Sequence, residues 1–472
     1  LIVTAGARDV LRAGQVDCVD LDAFLGMDAT FPFPPTLHPE MEHAITGESP
    51  KRIDLVYDTP YPVSEGLDIG GHALLAFAVK GDRTPVFEPG ELPRLGAQIA
   101  SLGTVSAAYR RELQERALGA IADYYAALHA SMFGSAGPSS NVGAVHRLLR
   151  EGENPYQVPA HWLRTSGDDP LALHAFEQVR GPTPCFTNLA DFDAVIHVLA
   201  LLASALGAGH SICIGAKHGS PVGIGVDSDP ERALRAALWG NPVAIWGGEL
   251  ITNFEIDETL AAVMFEDARR GEQYGSARWM LDVIAAPHFD RGAVQVLQKR
   301  AFSQLYQNEA LREPTLEGGT RDRVVRGGVV RQPTPTYVMR EGDIEWGAGA
   351  RGPFEDLAIA WAAAYGSNVG GNEVAIAKEG KLLAVGGGPS TVAAATTAVE
   401  RAKAHHDVAG ASFVADAFFP FEDAPDVLVQ AGCKYGLAPA GGKRQAMVQE
   451  HLAAREVTFG LLPAEARGFC RH

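Results

Sequence analysis

Ser211-Ile-Cys-Ile-Gly-Ala-Lys217-His218-Gly-Ser-Pro221 is the stretch on which the fold turns. Its first six residues are a short apolar run of strand length, and it gives way to glycine and proline where a lysine and a histidine appear. Ahead of it, residues 191–206 read as a helix. Behind it, Asp229-Pro230 supplies an N-cap and a proline at the first helical position for a helix over residues 231–239, which Gly240 closes. The pattern returns further on. Residues 374–378 and 382–385, separated by Glu379-Gly-Lys381, predict a hairpin. Gly386-Gly-Gly388 then predicts a turn, and residues 391–405 a helix. Strands alternating with helices predict an α/β protein whose sheets are covered by helices.

Toward the N-terminus, Leu113, Ala117, Ile121, Tyr124, Leu128 and Met132 recur at steps of three and four, the mark of a long amphipathic helix over residues 104–132. It ends at Gly134. The stretch 134–141 is rich in turn formers and poor in apolar residues, and sets a domain boundary. An N-terminal domain over residues 1–135 is expected, with residues 142–472 left for a region whose size suits two related α/β subdomains. The first eight residues read as a strand running into a glycine turn.

Composition narrows the function. The chain has 472 residues, 46% of them hydrophobic, enough to fill several cores, and it shows no run of eighteen or more apolar residues, so no membrane span is expected. Forty basic against fifty-seven acidic residues give a net charge of -17, which repels a nucleic-acid backbone and favours phosphate-sized ligands held by a few placed cations. Cys18, Cys185, Cys213, Cys433 and Cys470 form no CxxC pair, so neither a disulfide framework nor a zinc site is expected. With no secretory pattern in the first residues, a reducing cytoplasm is the expected compartment. The phosphate-loop, HExxH, GxSxG and zinc-deaminase signatures are absent.

Several stretches carry chemistry. Lys217 and His218, at a strand end, offer a cation beside a base, a pairing suited to acyl or formyl transfer, in which an amine sheds a proton and an oxyanion develops. A solvated lysine beside a hydrogen-bonded histidine would look the same. Arg150-Glu-Gly-Glu-Asn-Pro-Tyr-Gln157 gathers an arginine, two amides and an Asn-Pro turn; it suits a phosphate or an amide-bearing base, or a plain surface loop. Gly386-Gly-Gly388 presents backbone N–H groups to an anion or makes a tight connection. Asp416-Ala-Phe-Phe-Pro-Phe421 sets a carboxylate before an aromatic run that lines a pocket or packs a core. The terminal Arg467-Gly-Phe-Cys-Arg-His472 either docks or trails as a polar tail.

In this order and at these separations, the motifs resemble the bifunctional AICAR transformylase/IMP cyclohydrolase family. Residues 150–157 resemble its Arg-Tyr-Gly-Glu-Asn-Pro-His-Gln segment, Lys217-His218 with Ser220-Pro221 its Lys-His-x-x-Pro segment, Val325-Arg-Gly-Gly328 its Val-Arg-Gly-Gly segment, and residues 416–421 its Asp-Ala-Phe-Phe-Pro-Phe segment. In the N-terminal part, Thr36-Leu-His-Pro39, Ile53-Asp-Leu-Val56, Tyr61-Pro62 and Leu67-Asp-Ile-Gly-Gly71 resemble the cyclohydrolase half. The resemblance covers essentially the whole chain, apart from a segment that the family carries before Leu1. It implies a methylglyoxal-synthase-like N-terminal domain, a transformylase region of two cytidine-deaminase-like subdomains without metal, and a homodimer with active sites at its interface.

The resemblance also implies roles. Lys217, His218 and Asn372 would be catalytic. Arg150, Gly152, Asn188, Arg467, Phe418 and Pro420 would bind the nucleotide, while Asp416, Gln445 and Gly387 would face 10-formyltetrahydrofolate as formyl donor. Tyr61, Asp68 and Lys80 would be what remains of the cyclohydrolase site. Departures are equally specific. Glu151 and Tyr156 stand where the family has tyrosine and histidine, Pro389 and Thr391-Val392 where it has glutamine and Ser-Arg, and Gln445 where it has an aspartate. Pro34-Pro35 replaces a Val-Lys, and Val3-Thr-Ala-Gly-Ala7 a turn richer in hydroxyls. The expected activity is formyl transfer to AICAR or to an aminocarboxamide analogue such as an aminopyrazole C-nucleotide, with impaired ring closure. The alternatives are a paralogue that binds nucleotide or folate without turnover, and a bienzyme with both activities. Retention of Lys217, His218 and Asn372 speaks for turnover.

Overall fold

The computed structural model describes residues 1–27, 35–47, 51–133, 145–164, 169–347, 351–367 and 371–468; Pro34, the stretch 134–141 and the last four residues of the terminal segment, Cys470 among them, lie outside these. The chain divides into two units, Leu1–Leu148 with His161–Gly167, and Leu149–Ala160 with Asp168–His472.

In the first unit β1 (Ile2–Val3), α1 (Ala5–Ala13), β2 (Val19–Asp20), α2 (Leu21–Leu25) and α3 (Pro39–Thr46) lead to β3 (Leu55–Tyr57), α4 (Gly70–Lys80), β4 (Thr84–Val86), α5 (Leu92–Leu102) and α6 (Ala107–Phe133). Strands β1 and β2 pair in parallel, as do β3 and β4. Leu21, Met41, Ile45, Val56, Leu74 and Ala78 form one small core, and Val86, Leu95, Tyr109 and Leu113 another. The expected glycine turn near the start is instead the first turn of α1. Thr4 is its N-cap, and Gly6 falls where backbone N–H groups lack helical partners in any case. A hairpin-like pair, β5 (Val145–Leu149) and β6 (Ala160–Leu163), follows.

The second unit is built on a twelve-stranded sheet that reads the same from either edge. Its first repeat is β7 (Glu177–Arg180), α7 (Phe186–Leu206), β8 (Ser211–Lys217), β9 (Ser220–Asp227), α8 (Pro230–Leu238), β10 (Gly248–Thr252), α9 (Glu258–Val263), α10 (Ala268–Tyr274), β11 (Leu281–Ala286), α11 (Arg291–Leu297) and β12 (Gln304–Gln307). A separate hairpin, β13 (Thr320–Val325) with β14 (Gly328–Pro333), intervenes. The second repeat is β15 (Glu345–Trp346), α12 (Phe354–Gly366), β16 (Asn372–Lys378), β17 (Lys381–Gly388), α13 (Thr391–Lys403), β18 (Ser412–Ala415), α14 (Asp423–Ala431), β19 (Tyr435–Pro439), α15 (Gln445–Ala453) and β20 (Thr458–Leu462). The strand order is β15-β20-β19-β18-β16-β17 followed by β9-β8-β10-β11-β12-β7, so the repeats meet at β9 and β17, which run antiparallel.

Helices α7 and α12 are apolar nearly all round and are therefore buried, in one core shared by both repeats. Of the described helices, α7 alone is long and apolar enough to cross a bilayer, and its apolar surface is spent on that core. On the other sheet face each repeat has its own core, under α8, α9 and α11 in the first and under α13, α14 and α15 in the second. The expected turn at Gly386-Gly-Gly388 is instead the end of β17. Gly386 must lack a side chain because Ala394 O and Ala398 N of α13 come within 2.3 and 2.2 Å of where its Cβ would stand.

Each repeat joins its first long hairpin by a two-residue turn with positive φ at both positions, His218 (52°) and Gly219 (67°) in one, Glu379 (53°) and Gly380 (72°) in the other. Such turns match the twist of the flanking strands, but cost a residue with a Cβ about 1–2 kcal/mol. A helical carboxylate offsets that cost. Asp356 of α12 accepts from the N–H groups of Glu379 (3.0 Å) and Gly380 (2.8 Å), and Asp191 of α7 lies beside the His218–Gly219 turn. Replacing Asp356 with alanine strands two donors and is expected to cost about 1–3 kcal/mol in urea unfolding.

Candidate active site

Strand β8 brings Lys217 to the sheet edge, and the turn then lifts His218 clear of it: Lys217 is half-buried, His218 exposed. The Lys217 ammonium donates to Gly247 O at 2.5 Å. Three carboxylates surround it. Glu249, opposite Ala216 on β10, is 3% exposed, and its Oε2 has no hydrogen-bond partner. Burial pushes its carboxyl well above the ordinary range; Asp191 and Asp282 push the same way and Lys217 opposes them. Burial also raises Asp191, against the opposing pull of His218 and Lys217. Asp282 is ion-paired with Arg300. The lysine is thus held in place, while the histidine faces solvent.

Arg150 follows β5 and is electrostatically coupled to Cys185 and Asp282. Both its Nε (3.1 Å) and Nη2 (2.7 Å) reach Glu151 Oε1, so the residue that departs from the family pattern is the one that holds the guanidinium. Gly152 closes the loop through its N–H to Gln157 O (3.0 Å), and a Cβ there would stand 2.8 Å from that of Gln157. Asn188, in the first turn of α7, is buried and accepts from Cys185 N and Gln304 Nε2.

The second repeat contributes another group at the ends of its strands. Asn372 opens β16 and donates from Nδ2 to Gly388 O (3.1 Å), and Gly387 lies opposite Glu373. Asp416, just past β18, is 3% exposed, accepts from Glu373 N (3.1 Å), and is pushed up to about 8 by burial first and by the neighbouring Glu373 carboxylate. It is therefore a buried acid behind the strand ends. Arg467 stacks over Phe418 (5.0 Å) and donates to Ala440 O (3.0 Å), while the Gly468 N–H donates to Asp416 O (2.9 Å), so this stretch is docked. Gln445 Oε1 accepts from Gly441 N (2.9 Å). Phe418, Pro439, Gly442 and Gln445 help line a shallow cleft; Pro420 is half-buried nearby in sequence.

The elevated Asp416 value has a pH consequence. Between about 3.8 and about 8 the folded chain keeps a proton that the unfolded chain has released, so stability falls as pH rises through that window. Asp416→Asn is expected to flatten this slope in melting temperature, and a wild-type melting temperature indifferent to pH there would contradict it.

Register places these groups on one edge. Lys381 opposes Gly225, and the strands are antiparallel, so the Gly388 end of β17 runs toward the Ser220 end of β9. Asn372 opposes Gly388, and Val374 opposes Ala415. Asn372, Gly387, Asp416, Phe418, Gln445 and Arg467 thus share the sheet edge with Lys217 and His218, beyond the carboxyl ends of β18, β19 and β20, where open α/β sheets bind ligands. The first unit holds the remaining three residues. Asp68 is buried and accepts from the N–H groups of Tyr61 (3.2 Å) and Gly71 (2.8 Å). Lys80 is not with them: it ends α4, eleven residues of about 1.5 Å rise each, and pairs with Glu42 at 2.6 Å.

Asp191, Glu249, Asp282 and Gly247 were not singled out in the sequence. The signal for two of them was a charge inside an apolar element: Asp191 in α7 and Glu249 in β10.

Comparison with known proteins identifies the family. The family model described as AICARFT/IMPCHase bienzyme matches residues 82–401. The bifunctional purine biosynthesis protein PurH of Thermotoga maritima is 28% identical over 472 residues, covering 98% of this chain and 92% of its own; that of Enterococcus faecalis is 26% identical over 499 residues, covering 95% and 91%. PurH of Anoxybacillus flavithermus is 27% identical over 396 residues, covering 80% and 72%. With well over half its length matched by the family model, the chain is a divergent member of the AICARFT/IMPCHase bienzyme family.

Proposed function

We propose that the second unit is a formyltransferase of purine or purine-like nucleotide synthesis, moving a formyl group from 10-formyltetrahydrofolate to the amine of AICAR or a close aminocarboxamide nucleotide. The observation that carries this is Lys217 and His218 on a strained two-residue turn, on the same sheet edge as Asn372. His218 takes the proton of the attacking amine, and its exposure keeps it free to exchange that proton with water. Lys217, fixed by Gly247 O, steadies the oxyanion as the C–N bond forms and the formyl carbon leaves the folate nitrogen. Asn372 orients the formyl or carboxamide group. Arg150 and Arg467 hold the phosphate, and Asp416, Gln445 and Gly387 face the folate.

The finer architecture belongs to the same proposal: a methylglyoxal-synthase-like first unit, two cytidine-deaminase-like repeats in the second, no metal, and a cytoplasmic homodimer with the site at its interface. The duplicated strand order supports the repeats, and exposed Trp246 and Phe302, close in sequence to Gly247 and Arg300, support an interface at this edge. Sedimentation tests the dimer. The Glu151 carboxylate on Arg150 favours a changed acceptor, since a nucleotide phosphate must compete with it.

The deciding assay offers AICAR and a panel of aminocarboxamide nucleotides, including an aminopyrazole, with 10-formyltetrahydrofolate, and follows tetrahydrofolate release. No turnover with any of them would favour the role of a nucleotide- or folate-binding paralogue. For the first unit, with Lys80 engaged by Glu42, slow or absent ring closure is expected when formyl-AICAR is given to Lys217→Ala protein; rapid IMP formation would establish a working cyclohydrolase.

A further inference from the structure

On the sheet face that carries α8 and α13, a shallow cleft opens at the seam between the repeats. Arg269 of α10 enters it from the first repeat, Lys381 of β17 and the successive His405 and His406 from the second. Among the described residues no carboxylate lines it, in a chain whose net charge is -17. The cations are set in place. The Arg269 guanidinium lies 3.8 Å over the Trp239 ring, and His406 Nε2 donates to Gly240 O at 2.6 Å. Gln273 and Tyr274 add an amide and a hydroxyl to the lining. Among the described residues, neither Arg269 nor Lys381 belongs to an ion pair.

A helix C-terminus attracts cations, but Arg401 and Lys403 already serve the last turn of α13, and Arg269 and Lys381 come from other elements. Burial, and then the positive charge of Arg269, push Lys381 below the usual lysine range, against the pull of Glu379. Burial lowers both imidazoles, and Lys381 and Arg269 add to the effect at His406. Like charges gathered in a partly desolvated cleft repel one another until an anion joins them.

We propose that this cleft binds a phosphate group, free or at the end of a small phosphomonoester, at a second site. A guanidinium, an ammonium, two imidazoles and two neutral donors converging from both repeats suit a tetrahedral dianion better than a planar carboxylate. The site is independent of the formyl-transfer reading. Lys381 opposes Gly225, five residues along β9 from Ser220, which puts it about 17 Å from the Lys217–His218 turn at roughly 3.3 Å per residue. Because the lining comes from both repeats, occupancy would brace the seam.

The test follows the imidazole signals of His405 and His406 by NMR in 15N-histidine-labelled full-length protein, assigned with His405→Gln and His406→Gln, during titration with inorganic phosphate and, separately, a ribonucleoside 5′-monophosphate. Saturable shifts of these two signals are expected, weakened about tenfold or more in Arg269→Ala and Lys381→Met and unchanged in Lys217→Ala. Tighter binding of the monophosphate would make an ester the ligand; equal or weaker binding would make it free phosphate. Phosphate that moves only other histidine signals, or shifts that persist undiminished in both Arg269→Ala and Lys381→Met, would overturn the proposal. The wild-type titration reads the site directly, so it stands even if a variant fails to fold.

Discussion

Lys217→Ala is expected to lower kcat for formyl transfer by about 10²–10³-fold while KM for the nucleotide changes little. The ammonium is not free to wander. Gly247 O holds it, and Gly247 itself can take its left-handed backbone (φ 66°) and leave room for the lysine because it has no Cβ; one there would stand 3.0 Å from Nζ. A cation so fixed acts on charge that develops in the transition state, so its loss falls on kcat. Its removal also strips Asp191 and Glu249 of a charge that favours their ionised forms, so folding should be checked by circular dichroism beside the assay. His218→Asn is the companion variant. Asparagine tolerates a left-handed backbone, so the turn persists while the base is lost, and a fall of about 10²–10⁴-fold is expected. Retention of a tenth or more of wild-type turnover by Lys217→Ala would remove the lysine from the chemistry.

The largest effect on stability is expected from alanine at two glycines that occupy matching positions in the repeats. A Cβ at Gly225 would stand 2.0 Å from Ala233 O and 2.7 Å from the Cβ of Ala236 in α8; one at Gly386 would stand 2.2 Å from Ala398 N in α13. The obstacles are mostly backbone atoms of a helix, which cannot rotate aside as a side chain would. The helix must lift off the sheet, opening the core beneath it, at a cost of about 1–3 kcal/mol or more for each substitution. Urea unfolding measures this as a lowered midpoint. A midpoint within experimental scatter of wild type for Gly386→Ala would mean that α13 is not seated on β17 as described.

Much of this was legible in the sequence because local rules were obeyed. The Asp229-Pro230 start of α8, the hairpin of β16 with β17 and the helix ending near Phe133 follow from capping, turn chemistry and periodicity. The glycine run was read as a turn because glycine permits turns and close approaches alike; only the helix packed on Gly386 decides between them. Two related subdomains were expected, but the mirrored strand order was not legible. Apart from the Lys-x-Gly turn, a helical aspartate beside it and a close-approach glycine, the repeats need share few residues, since packing asks for apolar residues of suitable volume rather than particular ones. At the site, Lys217 and His218 stood out through a motif, and Asn372 through the family resemblance alone. The carboxylates around Lys217 did not, because an acid within an apolar element announces its environment only after the chain has folded around it.

The mirrored order of strands also bears on descent. A single repeat associating with its own copy through the β9-type strand would have possessed two identical ends, each joining one copy's hairpin turn to the other's strand termini. Fusion into one polypeptide would release the copies to diverge, and the residue after the turn lysine does differ between them: an imidazole in one, a carboxylate in the other. One end could then specialise in catalysis, relieving its twin of that duty.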